Sequence, residues 1–121
     1  MDLGASQYIS VTTYRRDGTP VATPVWCAQD GDAVVFWTVT GSGKVKRIRN
    51  NPEVTLAPCD LRGNLLGDAV KGRAEILSAE ETARARGLLR RKYGFIGWVT
   101  LLGSRLRRGA DGTIGVRVTD I

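Results

Sequence analysis

The residue types best suited to chemistry lie in one short stretch, where an apolar strand ends in glycines and a basic helix is predicted to begin. Its sequence is Trp37-Thr38-Val39-Thr40-Gly41-Ser42-Gly43-Lys44-Val45-Lys46-Arg47. Hydroxyl groups, flexible glycine amides and ammonium groups occur together here, ahead of a helix N-terminus with its partial positive charge, and such donors suit a phosphate. A polar strand end followed by a solvated basic helix would have the same composition. These residues alone leave both interpretations open.

Several kinds of catalytic site are excluded by what the chain lacks. It contains no histidine, which excludes Ser-His-Asp and Cys-His catalysis and HExxH zinc chemistry. It has no Walker A phosphate loop, and no GxGxxG segment follows a strand. Cys27 and Cys59 stand apart in apolar segments without a CxxC pair. We therefore expect buried reduced thiols and predict no metal site.

The basic residues are clustered rather than spread over the chain. The formal net charge is +6, from 18 Lys and Arg against 12 Asp and Glu, and the clusters lie at residues 44–49, 84–92 and 105–108. This distribution favours local anion sites or basic helix faces over a nucleic-acid-binding surface, so no nucleic-acid partner is predicted. No apolar run approaches the roughly 20 residues of a membrane helix. No signal peptide is recognisable either, and we expect a cytoplasmic protein.

Apolar alternation and turn residues predict six strands. They cover residues 8–14, 19–28, 33–40, 53–60, 68–77 and 113–119, with Asp-Gly turns before the second, third and last. Pro20 and Pro24 lack amide donors, so the second strand is expected to be irregular or to lie at an edge. This order, without a βαβ rhythm, predicts a mainly β fold with minor α: one domain over residues 1–121, built as a small antiparallel β-barrel.

A short helix is predicted directly after the glycines, over residues 44–50. Val45 and Ile48 lie three residues apart and are expected to face inward. The basic side chains of the helix are expected to face outward: Lys44, Lys46, Arg47 and Arg49. Asn51-Pro52 is expected to end the helix.

A second, longer helix is predicted after the fifth strand. It opens with a capping box, in which Ser78 is the N-cap and Glu81 the N3 residue, and it is expected to end near Tyr93, before Gly94. Its basic residues suit a solvated helix face, or alternatively a grip on an anionic group. Residues 95–109 mix large apolar residues with glycines and arginines, and this composition is compatible with a helix or a loop.

The order of these pieces resembles the pyridoxamine-phosphate-oxidase-like split-barrel superfamily. Within it, the chain is similar to the actinobacterial flavin/deazaflavin oxidoreductases that use coenzyme F420. The matching pieces are Arg16-Asp17-Gly18-Thr19-Pro20, Thr23-Pro24-Val25-Trp26, Asp30-Gly31-Asp32, Trp37-Thr38, Gly43-Lys44-Val45-Lys46-Arg47-Ile48-Arg49-Asn50-Asn51-Pro52-Glu53-Val54 and Val70-Lys71-Gly72-Arg73-Ala74-Glu75. The likeness covers about residues 8–78 well and the remainder loosely.

The resemblance implies a six-stranded antiparallel split β-barrel that forms a homodimer, with two cofactor sites at the interface. It implies these cofactor-binding positions: Pro24, Val25, Trp26, Trp37, Thr38, Val39, Thr40, Ser42, Gly43, Lys44 and Lys46. Ser42, Lys44 and Lys46 are expected to meet the cofactor's phosphate, and Arg47 and Arg49 to face solvent. Trp26, Trp37 and Trp98 are alternatively core or interface residues.

The function implied is hydride transfer between F420 and a small conjugated or heteroaromatic substrate. An FMN-dependent oxidoreductase and a non-catalytic F420 carrier are the alternatives. No catalytic side chain is implied, because the cofactor carries the hydride while the protein binds it, orients it and excludes water. Tyr93 and Cys59 are proton donors only in principle.

Overall fold

The computed structural model describes residue 3 and residues 6–39, 41–108 and 113–121, and for residues 94–108 it describes the backbone only. The elements, in chain order, are β1 (Tyr8–Tyr14), β2 (Pro20–Val25), β3 (Cys27–Asp30), β4 (Ala33–Val39), α1 (Gly43–Asn50), β5 (Glu53–Cys59), β6 (Val70–Ile76), α2 (Ala79–Arg108) and β7 (Thr113–Thr119). Thr40 and the predicted Asp111-Gly112 turn lie outside the described residues. Within those residues, no helix is long and apolar enough to cross a membrane.

All neighbouring strands pair antiparallel in one sheet of order β2-β1-β5-β6-β7-β4-β3. The edge strands β2 and β3 follow one another in the chain and are separated only by Trp26. The two edges of the sheet therefore meet at this residue, although they are not hydrogen-bonded to each other. This arrangement is consistent with a β-barrel whose sheet is not closed.

The prediction of six strands is wrong, because the second predicted strand is two strands. β2 pairs with β1, from Ile9 opposite Val25 to Tyr14 opposite Pro20, whereas β3 pairs with β4. The chain changes partner at Trp26, so the count is seven. The expectation that the prolines mark an edge is confirmed, since β2 has a neighbour on one side only.

Alternation along the strands sorts the apolar side chains into two clusters. One lies on one face of the sheet and is called the interior cluster. Its buried members include Ile9, Val11, Val34, Phe36, Val54, Leu56, Val116 and Val118. The other lies on the opposite face, under α2, and contains Ala28, Val35, Leu77, Ala85 and Leu89, with Trp26, Trp37, Leu88 and Tyr93 packed against it. β4 contributes to both clusters, so it is a strand buried on both faces, as predicted.

The helix starts agree with the sequence analysis, but one helix end does not. Val45 and Ile48 of α1 are buried as predicted. At the start of α2, the Glu81 amide donates to Ser78 Oγ at 3.2 Å, which confirms Ser78 as the N-cap. The Glu81 carboxylate accepts from the Ser78 hydroxyl at 3.1 Å, whereas in a full capping box it would accept from the Ser78 amide. The predicted end before Gly94 is wrong, since α2 continues to Arg108. A glycine costs only about 1 kcal/mol inside a helix and does not by itself end one.

An ion-pair network fixes α2 to the sheet. Asp30 on β3 pairs with Arg84 of α2 at 3.0 Å and with Arg117 of β7 at 3.5 Å. Arg117 also pairs with Glu81 at 3.0 Å, and this bond is the main reason why the pKa of Glu81 is lowered. Arg84 is thus a partly exposed structural residue whose charge is met within the chain.

Gly72 of β6 allows the closest packing between β6 and its neighbours. A methyl group there would lie 2.6 Å from Val118 Cγ1 and 2.7 Å from Ile121 Cγ2. Because Val118 is fully buried and cannot move aside freely, we expect Gly72→Ala to lower the free energy of unfolding in urea by about 1–3 kcal/mol. The matched control is Gly87→Ala in α2, where nothing lies within 4 Å of the added methyl group. That change should raise stability by about 0.5–1 kcal/mol, and equal effects at the two sites would contradict this account.

Candidate functional site

The end of β4 and the start of α1 bring together two of the predicted phosphate-binding hydroxyls. Ser42 is the N-cap of α1, and its Oγ accepts from the Val45 amide at 3.4 Å. The Ser42 amide donates to the Val39 carbonyl at 3.0 Å, which closes a tight turn between strand and helix. The Thr38 and Ser42 hydroxyls lie 3.4 Å apart. The turn therefore aims both hydroxyls at the first turn of α1.

Lys44 is the most unusual charged group of this region. Its side chain is half-buried, and within the described part of the chain it has no hydrogen-bond or ion-pair partner. Burial, and then the charge of Arg47, lower the pKa of Lys44 to about 8. A cation withdrawn from water without a counter-ion is costly, and an anion bound beside it would remove that cost.

The other predicted phosphate contacts differ in their placement. Gly43 is the first residue of α1 and is exposed, so its amide is accessible to a ligand. Lys46 is exposed on the outer side of the helix, where it could approach an anion only from the solvent side. Thr40 lies outside the described residues. The structure thus brings the Thr38 and Ser42 hydroxyls together at the start of α1, the helix that carries Gly43, Lys44 and Lys46.

Arg47 was expected to face solvent, and that prediction is wrong. Its Nε donates to the Thr13 hydroxyl of β1 at 2.6 Å, and Thr13 is fully buried. The side chain is half-buried against the start of its own helix, four residues back, beside Gly43. The spacing i, i+4 was the available signal for this contact. Nothing in the sequence indicated that β1 would supply the acceptor.

The predicted aromatic positions lie on a different face from the hydroxyls. The Trp26 ring stacks on the Tyr93 ring with centroids 4.3 Å apart and planes 11° apart. Trp26 and Trp37 both pack against the cluster under α2, whereas Val25 packs against the interior cluster. Pro24 is exposed on β2. These side chains are therefore partly used for packing, and Trp26 has one ring face covered by Tyr93.

Tyr93 and Lys92 of α2 hold the aromatic region in place. The sequence predicted no packing role for either residue. The Tyr93 hydroxyl donates to the Gln7 carbonyl at 2.7 Å and accepts from the Cys27 amide at 3.0 Å. Burial raises the pKa of Tyr93. Lys92 Nζ donates to the Cys27 carbonyl at 2.7 Å. These bonds join α2 to Cys27, directly after Trp26, and to Gln7, directly before β1, so they fix the start of β3.

β4 has an open side next to this point. Its pairing with β3 stops at Phe36, opposite Cys27, whereas its pairing with β7 continues through Val39. Among the described residues, no strand pairs with the other side of residues 37–39. On that side the segment has no strand partner for its backbone groups, and of these the Val39 carbonyl accepts from the Ser42 amide.

Two cavities of the chain lie away from the predicted positions. One of about 770 Å³ is lined by Asp30, Arg84 and Arg117 of the ion-pair network. The other, of about 420 Å³, is lined by Tyr14, Thr55 and Lys71 among others. Neither includes a predicted cofactor-binding residue.

Comparison with known sequences identifies a family pattern over most of the chain. The family model for pyridoxamine 5'-phosphate oxidase matches residues 3–113. Among curated proteins, no sequence matches this chain.

Solved structures provide three further likenesses. A protein named F420 reductase is 24% identical with a TM-score of 0.67, over 96% of this chain and 88% of that one. A conserved hypothetical protein of Mycobacterium tuberculosis is 21% identical with a TM-score of 0.72, over 97% and 74%. A FAD-binding protein of Mesorhizobium loti is 18% identical with a TM-score of 0.61, over 96% and 82%. At these identities the likenesses show the fold alone.

The lowered pKa of Lys44 predicts a pH-dependent stability of the ligand-free protein. Below a pH of about 8 the folded chain carries the full cost of the buried ammonium. As the pH rises towards the ordinary lysine pKa of 10.5, the folded chain loses this proton before the unfolded chain does, so the cost disappears. We expect Lys44→Met to raise the free energy of unfolding of the ligand-free protein at neutral pH. The gain should be smaller about 1.5 pH units above the Lys44 pKa of about 8.

Urea unfolding of the wild type and the variant at the two pH values measures this difference. Lys46→Met is the matched control, because Lys46 is exposed on the same helix. The control should show no such change with pH. A gain for Lys44→Met that is the same at both pH values would contradict the assignment.

Proposed function

Because the chain belongs to the pyridoxamine 5'-phosphate oxidase family, we propose that it is an oxidoreductase that transfers a hydride between the deazaflavin cofactor F420 and a small conjugated or heteroaromatic substrate. The observation that carries the proposal is the half-buried side chain of Lys44, at the start of α1, whose ammonium has no counter-ion among the described residues. A phosphate at this turn would supply the missing negative charge.

The donors around Lys44 suit a phosphate in type and in position. The Ser42 hydroxyl accepts from the Val45 amide, and when Thr38 donates to it in their 3.4 Å contact, the Ser42 proton is left for a phosphate. The Gly43 amide belongs to the first turn of α1, where backbone amides lack helical partners. Hydrogen bonds from these groups and from a charged ammonium would hold the phosphate on one side.

The ring system of the cofactor would lie along the open side of β4. Residues 37–39 have no strand partner on that side among the described residues. The other predicted cofactor positions, Pro24, Val25 and Trp26, form the end of β2 and the residue after it, next to the same opening. The ring and the phosphate would then follow the chain direction from Trp37 to Lys44. The packing of Trp26 against Tyr93 fixes one wall of this opening.

When bound, the deazaflavin ring supplies the hydride chemistry. The residues of the chain would bind the phosphate at Lys44 and Ser42, orient the ring along β4 and exclude water from it. Tyr93 is a poor candidate for a proton donor, since burial raises its pKa and its hydroxyl already donates to the Gln7 carbonyl. Burial also raises the pKa of Cys59. We assign no catalytic side chain.

F420 is preferred to FMN because of the charge around α1. F420 carries a polyglutamate tail in addition to its phosphate, and the exposed Lys46 of this helix has no carboxylate partner among the described residues. An FMN-dependent oxidoreductase is the second candidate. It is favoured by the family match, and one protein with this fold is named as FAD-binding.

We also propose that residues 1–121 form one cofactor-binding domain that works as a homodimer with two sites at its interface. The support is the opening at residues 37–39, which have no strand partner on one side among the described residues. A second copy could cover the ring there and exclude water. A small-molecule substrate would enter between the copies.

Titration of the purified protein with oxidised F420 and with FMN, followed by fluorescence, tests the proposal. We expect the wild type to bind F420 at tens of micromolar or more tightly, and Lys44→Gln to weaken binding about 10- to 100-fold, the worth of a charge-assisted hydrogen bond. Arg49→Gln is the matched control, since it removes an exposed charge from the same helix. Its effect should be small.

The outcomes separate the candidates. Tight FMN binding without F420 binding would replace the proposal by the second candidate. F420 binding without reduction of any quinone, enone, nitroaromatic or tetrapyrrole acceptor would indicate a carrier. Binding of neither cofactor would refute both.

A further inference from the structure

The Arg47 guanidinium is held in a fixed position at the start of α1. Its Nε donates to Thr13 Oγ1 at 2.6 Å, and Thr13 is fully buried on β1. The arginine side chain therefore runs back along its own helix towards the N-terminal turn. A single hydrogen bond to a neutral hydroxyl uses one of the five guanidinium donors.

Gly43 is what makes this position possible. A methyl group on Gly43 would lie 2.6 Å from Nη1 of Arg47, closer than two such atoms can approach. The terminal nitrogens of Arg47 therefore occupy the space in which a side chain at residue 43 would stand. Residue 43 has no side chain, and the guanidinium four residues later takes its place.

The charge of Arg47 is not met by an acidic group. In the described part of the chain the ion pairs all involve Arg84 or Arg117, and none reaches α1. Arg47 lies close enough to Lys44 to lower the pKa of its ammonium. Two like charges that are both withdrawn from water raise the energy of the ligand-free site, and a shared anion would lower it.

We propose that Arg47 is a phosphate-binding residue, which Thr13 positions and for which Gly43 leaves the space. This inference rests on the proposed function, because the phosphate is that of the cofactor bound at Ser42 and Lys44. The planar guanidinium would offer its outer N–H groups to two phosphate oxygens, whereas Lys44 would act as a point charge. Since Thr13 already holds the side chain, little side-chain entropy would be lost on binding.

The first experiment compares a cofactor with its phosphate-free form. Fluorescence titration gives the affinities of the wild type for FMN and riboflavin, or for F420 and its phosphate-free chromophore, whichever cofactor binds. Arg47→Gln should weaken binding of the phosphate-bearing form about 10- to 100-fold and leave the phosphate-free form within about twofold. Arg49→Gln should change neither, and thermal unfolding checks that each variant is folded.

Two further variants separate a binding role from a packing role. Thr13→Val keeps the charge of Arg47 and removes its anchor, so it should weaken binding of the phosphate-bearing form several-fold. Gly43→Ala should do the same in the wild type, because it displaces the guanidinium. In the Arg47→Gln background, Gly43→Ala should have little further effect. Additive losses would overturn the proposed unit of Gly43 and Arg47.

Inorganic phosphate is the probe that distinguishes this inference from the proposed function. NMR of the wild type should show the Arg47 Nε–H and Gly43 amide signals moving as phosphate is added, with no such movement at Arg49. If these signals move but neither F420 nor FMN binds, the inference holds and the proposed function fails. If a cofactor binds and Arg47→Gln has no effect on it, the inference is wrong and the proposed function stands. Failure of both phosphate and cofactor to bind overturns both.

Discussion

Both edges of the sheet come from a single stretch of chain, which passes from one edge to the other at Trp26. This change of partner brings the edges together without hydrogen bonds between them and leaves residues 37–39 of β4 unpaired on one side. It is held from outside by α2, through the stacking of Tyr93 on Trp26 and the bonds from Lys92 and Tyr93 to Cys27. The unpaired side of β4 and the docking of α2 therefore both depend on this change of partner at Trp26.

The packing of β4 also fixes where this strand ends and α1 begins. β4 is buried on both faces, so its position is fixed by packing on each side. It ends in the turn in which the Ser42 amide donates to the Val39 carbonyl, and α1 begins immediately afterwards. Ile48 then packs α1 against the interior cluster, and Val45 is fully buried. The basic residues of α1 are consequently presented at the end of the opening, and their orientation follows from the buried face of the helix.

Local patterns were sufficient to predict the parts of the fold that local interactions determine. The spacing of Val45 and Ile48 and the Ser78–Glu81 capping box identified the helix starts, and apolar alternation located the strands. Two features depend on contacts distant in sequence and were missed: the change of partner at Trp26 and the Arg47 bond to Thr13, 34 residues away. The continuation of α2 beyond Gly94 was missed because a single glycine does not end a helix. For the site, the sequence predicted the turn with its hydroxyls and Lys44. It could not predict that Trp26 would have a ring face covered.

The distribution of counter-ions shows where this chain tolerates electrostatic cost. Asp30 forms ion pairs with Arg84 and Arg117, and Arg117 forms a second ion pair with Glu81. The Arg84 side chain is 64% exposed, so a carboxylate is supplied to a cation that needs it little. Lys44 and Arg47 are more withdrawn from water than Arg84, and no carboxylate among the described residues pairs with them. Had stability alone shaped α1, an acidic residue in its first turn would have balanced both cations and favoured the helix. That turn contains none. The unbalanced charge therefore supports the proposal that an anionic ligand completes this site.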